Sequence, residues 1–267
     1  MIKYFSRNFD AGGKIVKKRL TRITAVHYVK LIYRSILFFA GIALYAFSLK
    51  DGRDIDFTPD SFGAEAVILG VIFAVYALEM ITRLFPSRLE SMGCQKQFKR
   101  NYEPTGNTAP SNVPWWRTFV TATAWFTLNG IIGALYLFGV IDAGILLIVS
   151  LAYGICDMIC VLFYCPFHSI LLRSRCCVDC RIYNWDFAMM FTPFVFIANN
   201  WFTAPLLALS LVILIRWEIT YKAHPERFSR NTNKCLDCAH CEEKLCKHKK
   251  QLASYLKKNA DRFKTMK

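Results

Sequence analysis

Six stretches of this chain are apolar for close to the roughly 20 residues that a helix needs to cross about 30 Å of hydrocarbon. They lie at about 31–49, 64–82, 118–138, 144–164, 183–200 and 203–219. So many such runs leave little sequence to shield them from water. They impose an all-α fold class, a polytopic membrane helix bundle of about six transmembrane helices with a small cytoplasmic Cys-rich metal-binding tail. The fifth run, YNWDFAMMFTPFVFIANN, is the weakest, because it carries Asp186 and an internal Pro193 that removes a backbone donor. A broken or re-entrant segment there, leaving five spans, is the alternative.

Charge fixes an orientation for these spans. The chain is 54% hydrophobic yet has a net charge of +15, and a Lys or Arg costs roughly 2.5–3.5 kcal/mol at the centre of a spanning helix. The basic residues must therefore be segregated. Residues 1–30, 83–117, 165–182 and 216–267 hold 31 of the 34 Lys and Arg, whereas the loop KDGRDIDFTPDSFG has two basic and four acidic residues. By the positive-inside rule the expected topology is multi-pass in the inner (plasma) membrane, with both termini cytoplasmic. Three regions follow: a basic cytoplasmic segment 1–30, a six-helix transmembrane domain 31–219, and a cytoplasmic Cys-rich tail 220–267. Ile15, Leu20, Ile23 and Val26 recur at near-helical spacing among Lys and Arg, as in an amphipathic helix lying on the lipid bilayer. No nucleic-acid-binding module accompanies these basic residues, and no nucleic-acid partner is expected.

The eleven cysteines are the second strong signal. Cys94 stands alone in a loop, and Cys156 and Cys160, four apart on the fourth span, read as small apolar residues. Eight remain. Cys165, Cys176, Cys177 and Cys180 follow the fourth span, and Cys235, Cys238, Cys241 and Cys246 lie in the tail. A reducing cytosol disfavours disulfides, which leaves metal ligation. The tail spacing Cys-x2-Cys-x2-Cys-x4-Cys wraps one object more naturally than the paired knuckles of a zinc site. It approaches the ferredoxin run, in which three thiolates hold corners of a cubane. The cofactor expected is an iron–sulfur cluster of the 4Fe-4S type, with zinc as the alternative. Adjacent Cys176 and Cys177 point in different directions, so the two groups either hold separate sites or interleave and clamp the tail to the membrane domain. His168, His240 and His248 are substitute ligands.

The box Cys165–Pro166 at a helix end and the run Cys235–Cys246 together resemble the membrane polyferredoxins that assist periplasmic reductases. That resemblance implies iron–sulfur clusters and electron transfer. It covers those two segments alone, and this chain has one shortened ferredoxin run, with Lys247 where the pattern has Pro.

Ionisable residues near the predicted helix ends are functional candidates. Glu79 has Arg83 at i+4. Asp157, beside Cys156 and before Cys160, reads as a relay acid or metal ligand, or as an acid bonded to a Tyr, Asn or Arg of a neighbouring helix. Arg181, Trp185 and Asp186 gather at the membrane boundary just after Cys180, where Arg181 and Asp186 can pair, or where all three can line the headgroup of a quinone or lipid. No span carries a central histidine, so transmembrane haem is unsupported. The function these residues point to is an integral membrane metalloprotein passing electrons between a soluble donor and a membrane redox partner or quinone. A zinc-stabilised assembly scaffold and a soft-metal-ion transporter using Cys156, Asp157 and Cys160 are the alternatives.

Overall fold

The computed structural model describes residues 21–246 and 249, apart from 53, 54, 56, 58–62, 111, 112, 173–175, 239, 240, 242 and 244. Among these residues the fold is all-helical. Seven α-helices form: α1 (Arg22–Lys50), α2 (Ala64–Arg83), α3 (Met92–Gln95), α4 (Trp115–Leu137), α5 (Ala143–Leu162), α6 (Asp186–Met190) and α7 (Thr203–Ala223). Five of them, α1, α2, α4, α5 and α7, are long and apolar enough to cross a membrane.

Local chemistry sets most boundaries. Thr21 caps α1 through Thr24 N. Asp142 caps α5 with one carboxylate oxygen on Ile145 N at 2.9 Å, while the other accepts from Tyr45 at 2.7 Å. Pro166 follows the end of α5, and Pro225 stops α7. The first helix begins well before the predicted 31. Residues 22–30 are its opening turns, with Ile23, His27 and Lys30 buried, because nothing between Thr21 and Leu31 breaks a helix. Residues 1–20, which carry most of the predicted amphipathic segment, lie outside the described residues.

The fifth predicted run is where the fold departs from regular helix. It forms a 3-10 turn at Tyr183–Trp185, the five-residue α6, and a second 3-10 stretch at Thr192–Ile197. Pro193 supplies the break the sequence pointed to. The freed polar groups find partners: Thr192 Oγ1 donates to Ala188 O at 2.8 Å and accepts from Trp125 Nε1 at 3.0 Å. Asn200 then caps α7, its Oδ1 taking the amides of Phe202 and Thr203.

Packing is inside-out relative to a soluble protein. Phe39, Phe126, Ile131, Ile215 and Ile219 are exposed, while Arg34, Arg83 and Lys96 are buried. Lone exposed apolar residues are ordinary, but so many of them on helices long and apolar enough to cross a membrane form the surface that a membrane bundle would present to lipid. α1 packs most extensively on α5. Close approach needs small residues: a Cβ on Gly41 would stand 2.6 Å from Leu151, and one on Gly133 would strike the ring of Phe196.

The two ends of the bundle differ. The N-terminus of α1 and the C-termini of α2, α5 and α7 meet the segment 84–114, the loop 165–182 and the tail, and this end holds most of the cysteines. At the opposite end Phe57, Phe194 and Phe202 pack with ring centroids 5.8 Å apart.

Candidate functional site

The segment 84–114 is the platform on which the thiol end is built. Ser91 caps the four-residue α3 through Gly93 N. The same Ser91 donates to the carboxylate of Glu243 in the tail, which also accepts from Met92 N at 2.9 Å, and Thr24 of α1 donates to the Glu243 carbonyl at 2.9 Å. Further along, Lys234 N donates to Glu103 O at 2.8 Å, and Asn233 reaches Glu103, Asn101 and Arg227. The tail is therefore docked onto the platform by hydrogen bonds just before its cysteine run, at Asn233 and Lys234, and within it, at Glu243.

Lys96 positions the loop cysteines. Its ammonium is fully buried, donates to Val178 O at 2.7 Å and Cys180 O at 2.9 Å, and lies over the rings of Trp217 and Phe228. Burial pulls its pKa down to about 8. One side chain thus ties the Cys177-x2-Cys180 turn to the C-terminus of α7.

The adjacent thiols do point apart. Cys176 meets Cys246 of the tail, with the sulfurs 3.4 Å apart, whereas Cys177 accepts from Lys249 Nζ at 2.9 Å. The shared hydrogen bond favours thiolate at Cys176 and holds Cys246 as the protonated partner. Burial pushes Cys180 up to about 12 and raises Cys177 against the opposing charge of Lys249. Cys94 is inert in the same sense, buried, held up near 12 and hydrogen-bonded to Ser91 O.

Cys160, Cys165, Cys177 and Cys180, with Cys156, line one cavity of about 140 Å³. Cys160, read from the sequence as an apolar filler, shares a hydrogen bond with Cys165 and belongs to this group. Cys235 and Cys241 are partly exposed and Cys238 is exposed, outside the cavity. The side chains of His168, His240 and His248 lie outside the described residues. Among the described residues no group of three His, Cys, Asp or Glu stands ready as a metal shell.

Beneath the thiols runs a layer of buried ion pairs that the sequence reading missed in part. Arg34 bridges three helices: its guanidinium donates to Glu79 at 2.7 Å, to Asp157 at 2.9 Å and to Gly154 O at 3.0 Å. An arginine in the first apolar run, in LIYRSIL, was the signal. Asp157 is thus bonded to a neighbouring helix's arginine. Lys30 pairs with Glu90 at 2.7 Å. Glu90 is largely buried, which opposes ionisation, yet Arg83 and Lys30 hold its pKa near 2. Glu79 turns to Arg34 and Lys30 rather than to Arg83 one turn along.

Arg181, Trp185 and Asp186 do not form one cluster. Arg181 makes a two-pronged pair with Glu218 and lies over Tyr221, while Trp185 Nε1 donates to Glu218 at 2.8 Å. Asp186 pairs instead with Arg83 at 2.7 Å and lines the cavity. Comparison with protein-family models, curated proteins and solved structures finds no match.

Proposed function

We propose that this protein is an integral membrane metalloprotein that holds one or two iron–sulfur clusters at the cytoplasmic face and passes electrons between a soluble donor and a membrane partner. The observation that carries this reading is the convergence of thiols from two distant segments at one end of the bundle, with Cys176 against Cys246. Soft thiolates suit an iron–sulfur cluster or zinc rather than a hard cation. The donor set fits in ligand type, and because among the described residues no three ligands are already gathered, the partly exposed Cys235 and Cys241 and the exposed Cys238 would close on the cluster as it binds. A bound cluster supplies one-electron transfer. The chain's own contribution is to hold the loop with Lys96, dock the tail with Glu243 and Asn233, favour thiolate at Cys176, and keep Cys177 and Cys180 protonated until metal displaces the protons.

In this reading the segment 183–200 completes a sixth crossing, since it runs from the Arg83–Asp186 pair at the thiol end to the Asn200 cap of α7 at the other. The positive-inside rule then puts the thiol end in the cytoplasm.

The test is anaerobic purification in mild detergent with iron, zinc and acid-labile sulfide analysis, on the wild type and on two triple variants, Cys235/Cys238/Cys241→Ser and Cys165/Cys177/Cys180→Ser. About four irons per cluster with matching sulfide, lost in the variants, is the expected result. Stoichiometric zinc without sulfide refutes the redox reading. It would favour a structural clasp, a second reading that the extensive docking of the tail onto residues 91–105 supports.

A further inference from the structure

The cavity under the thiols has walls of two kinds. Trp125, Tyr153 and Phe167 form an aromatic side, with Trp125 4.7 Å from Tyr153 and 6.0 Å from Phe167 between ring centroids. Met158 and Met190 extend the apolar surface. The facing side is polar, with His27, Lys30, Arg83, Glu90, Asp157 and Asp186. Most of these charges are already engaged: Lys30 with Glu90, Arg83 with Asp186, and Asp157 with Arg34. The layer is close to neutral, so it does not call for a charged ligand.

Among the described residues three groups are left over, one of them Arg83 Nε, a bare donor on a guanidinium otherwise held by Asp186 and Asn184. His27 is 5% exposed, and among the described residues neither of its ring nitrogens has a hydrogen-bond partner. Asp186 Oδ1 is likewise unpartnered, although Oδ2 takes Arg83. A buried imidazole with both nitrogens bare is costly unless something enters to meet it. A neutral imidazole offers one N–H donor and one acceptor, and the free carboxylate oxygen offers a second acceptor. The complement is a neutral ring bearing oxygens that accept when oxidised and donate when reduced. The volume of about 140 Å³ is close to that of the roughly 150 Å³ engineered apolar cavity that binds benzene. The aromatic wall supplies the flat faces on which such a ring stacks. Cys156 is exposed and also lines the cavity, so the space reaches the lateral surface of the bundle, where an apolar tail would lie.

We infer that this cavity binds the headgroup of a membrane quinone, with a carbonyl oxygen on His27 and the ring against Trp125 and Tyr153. The choice of a quinone rests on the electron-carrier reading above. The bare imidazole, the ring-sized volume and the aromatic wall stand on geometry alone.

The experiment is titration of the full-length protein in lipid nanodiscs with decylubiquinone, followed by tryptophan fluorescence, with decanoate as the control and iron and sulfide measured on the same preparation. The wild type should show saturable quenching, most of it lost in Trp125→Phe. In His27→Ala the apparent Kd should rise about tenfold, the effect of one lost hydrogen bond. Should His27→Ala fail to fold, Cys156→Trp narrows the same cavity from an exposed position and should weaken binding comparably. Absence of saturable quenching in the wild type overturns the inference, as does a Kd unchanged by both His27→Ala and Cys156→Trp. Decanoate binding as tightly as the quinone also overturns it, by marking a fatty-acyl site. Saturable quinone binding in a sample without iron and sulfide overturns the proposed cluster and not the cavity. Iron and sulfide without quinone binding does the reverse.

Discussion

At the thiol end of the bundle four buried cations, Lys30, Arg34, Arg83 and Lys96, each meet carboxylates or carbonyls. At the opposite end Phe57, Phe73, Phe194, Trp201 and Phe202 pack ring on ring, with Asp142 and Asn200 capping helices. Ring packing stabilises by removing apolar surface from water or by close contact in lipid, and it needs no partner chosen for charge. Buried ion pairs are different. Their desolvation cost roughly cancels their attraction, so an apolar replacement of equal volume is often as stable. An end of the molecule that keeps a layer of charge where packing alone would suffice is where the proposed function is placed. The cavity, the bare His27 and the gathered cysteines all lie at that end.

The largest effect should come from stranding the carboxylates of that layer. Arg34→Met leaves Glu79 and Asp157 buried without their shared cation, and the expected loss is about 3–5 kcal/mol, read as a fall in thermal unfolding temperature in detergent. Adding Asp157→Leu and Glu79→Leu to Arg34→Met should restore much of it. If the single substitution is silent, the contrast between the ends collapses.

Acid should act selectively on the same end. Burial opposes ionisation of Glu90, but Arg83 and Lys30 bring its pKa from an ordinary 4.5 to about 2. A carboxylate with a depressed folded-state pKa contributes stability above its unfolded value, and that contribution disappears as the pH falls from about 4.5 through about 2. Its size is on the order of 3 kcal/mol. Unfolding midpoints followed from pH 6 to pH 2 should drop across this window in the wild type. Glu90→Gln should be less stable at neutral pH and show a shallower drop. Parallel curves for the two proteins would remove Glu90 from the ionic layer.

The smallest effect belongs to the aromatic end. Phe202→Leu keeps the site apolar with a modest loss of volume and should cost about 1–2 kcal/mol, with the same loss at every pH and salt concentration. A pH-dependent loss there would mean that the two ends are coupled rather than separately held.

Much of the architecture could be read in advance, because hydrophobic length and Lys/Arg placement are local properties of the chain. The runs at 64–82, 118–138, 144–164 and 203–219 become α2, α4, α5 and α7 within a few residues. Pro193 and Asp186 marked the run that does not stay a regular helix. The start of α1 was less legible, because its first turns are polar and basic, and those side chains are buried by the tail and by residues 84–114 rather than by neighbours in sequence. At the site, the grouping of thiols into loop and tail was visible as spacing. Cys160 joined the loop group only through the turn at Pro166, which no periodicity encodes.

Sequence by itself determined which segments are apolar enough for lipid, which flanks carry positive charge, and that two cysteine-rich segments lie among the basic ones. It also placed Arg34, Glu79, Asp157 and Asp186 inside or beside apolar runs, where charge demands a partner. Tertiary structure decided who the partners are. Glu79 passes over Arg83, four residues away, for Arg34 and Lys30 on another helix, and Arg83 takes Asp186 instead. An i,i+4 pair on a helix surface is worth only a few tenths of a kcal/mol, whereas a buried ion left without a partner costs several. The cross-helix arrangement that pairs Arg34, Lys30 and Arg83 with Glu79, Asp157, Glu90 and Asp186 therefore prevails over the local one, and the cavity lies beside those pairs.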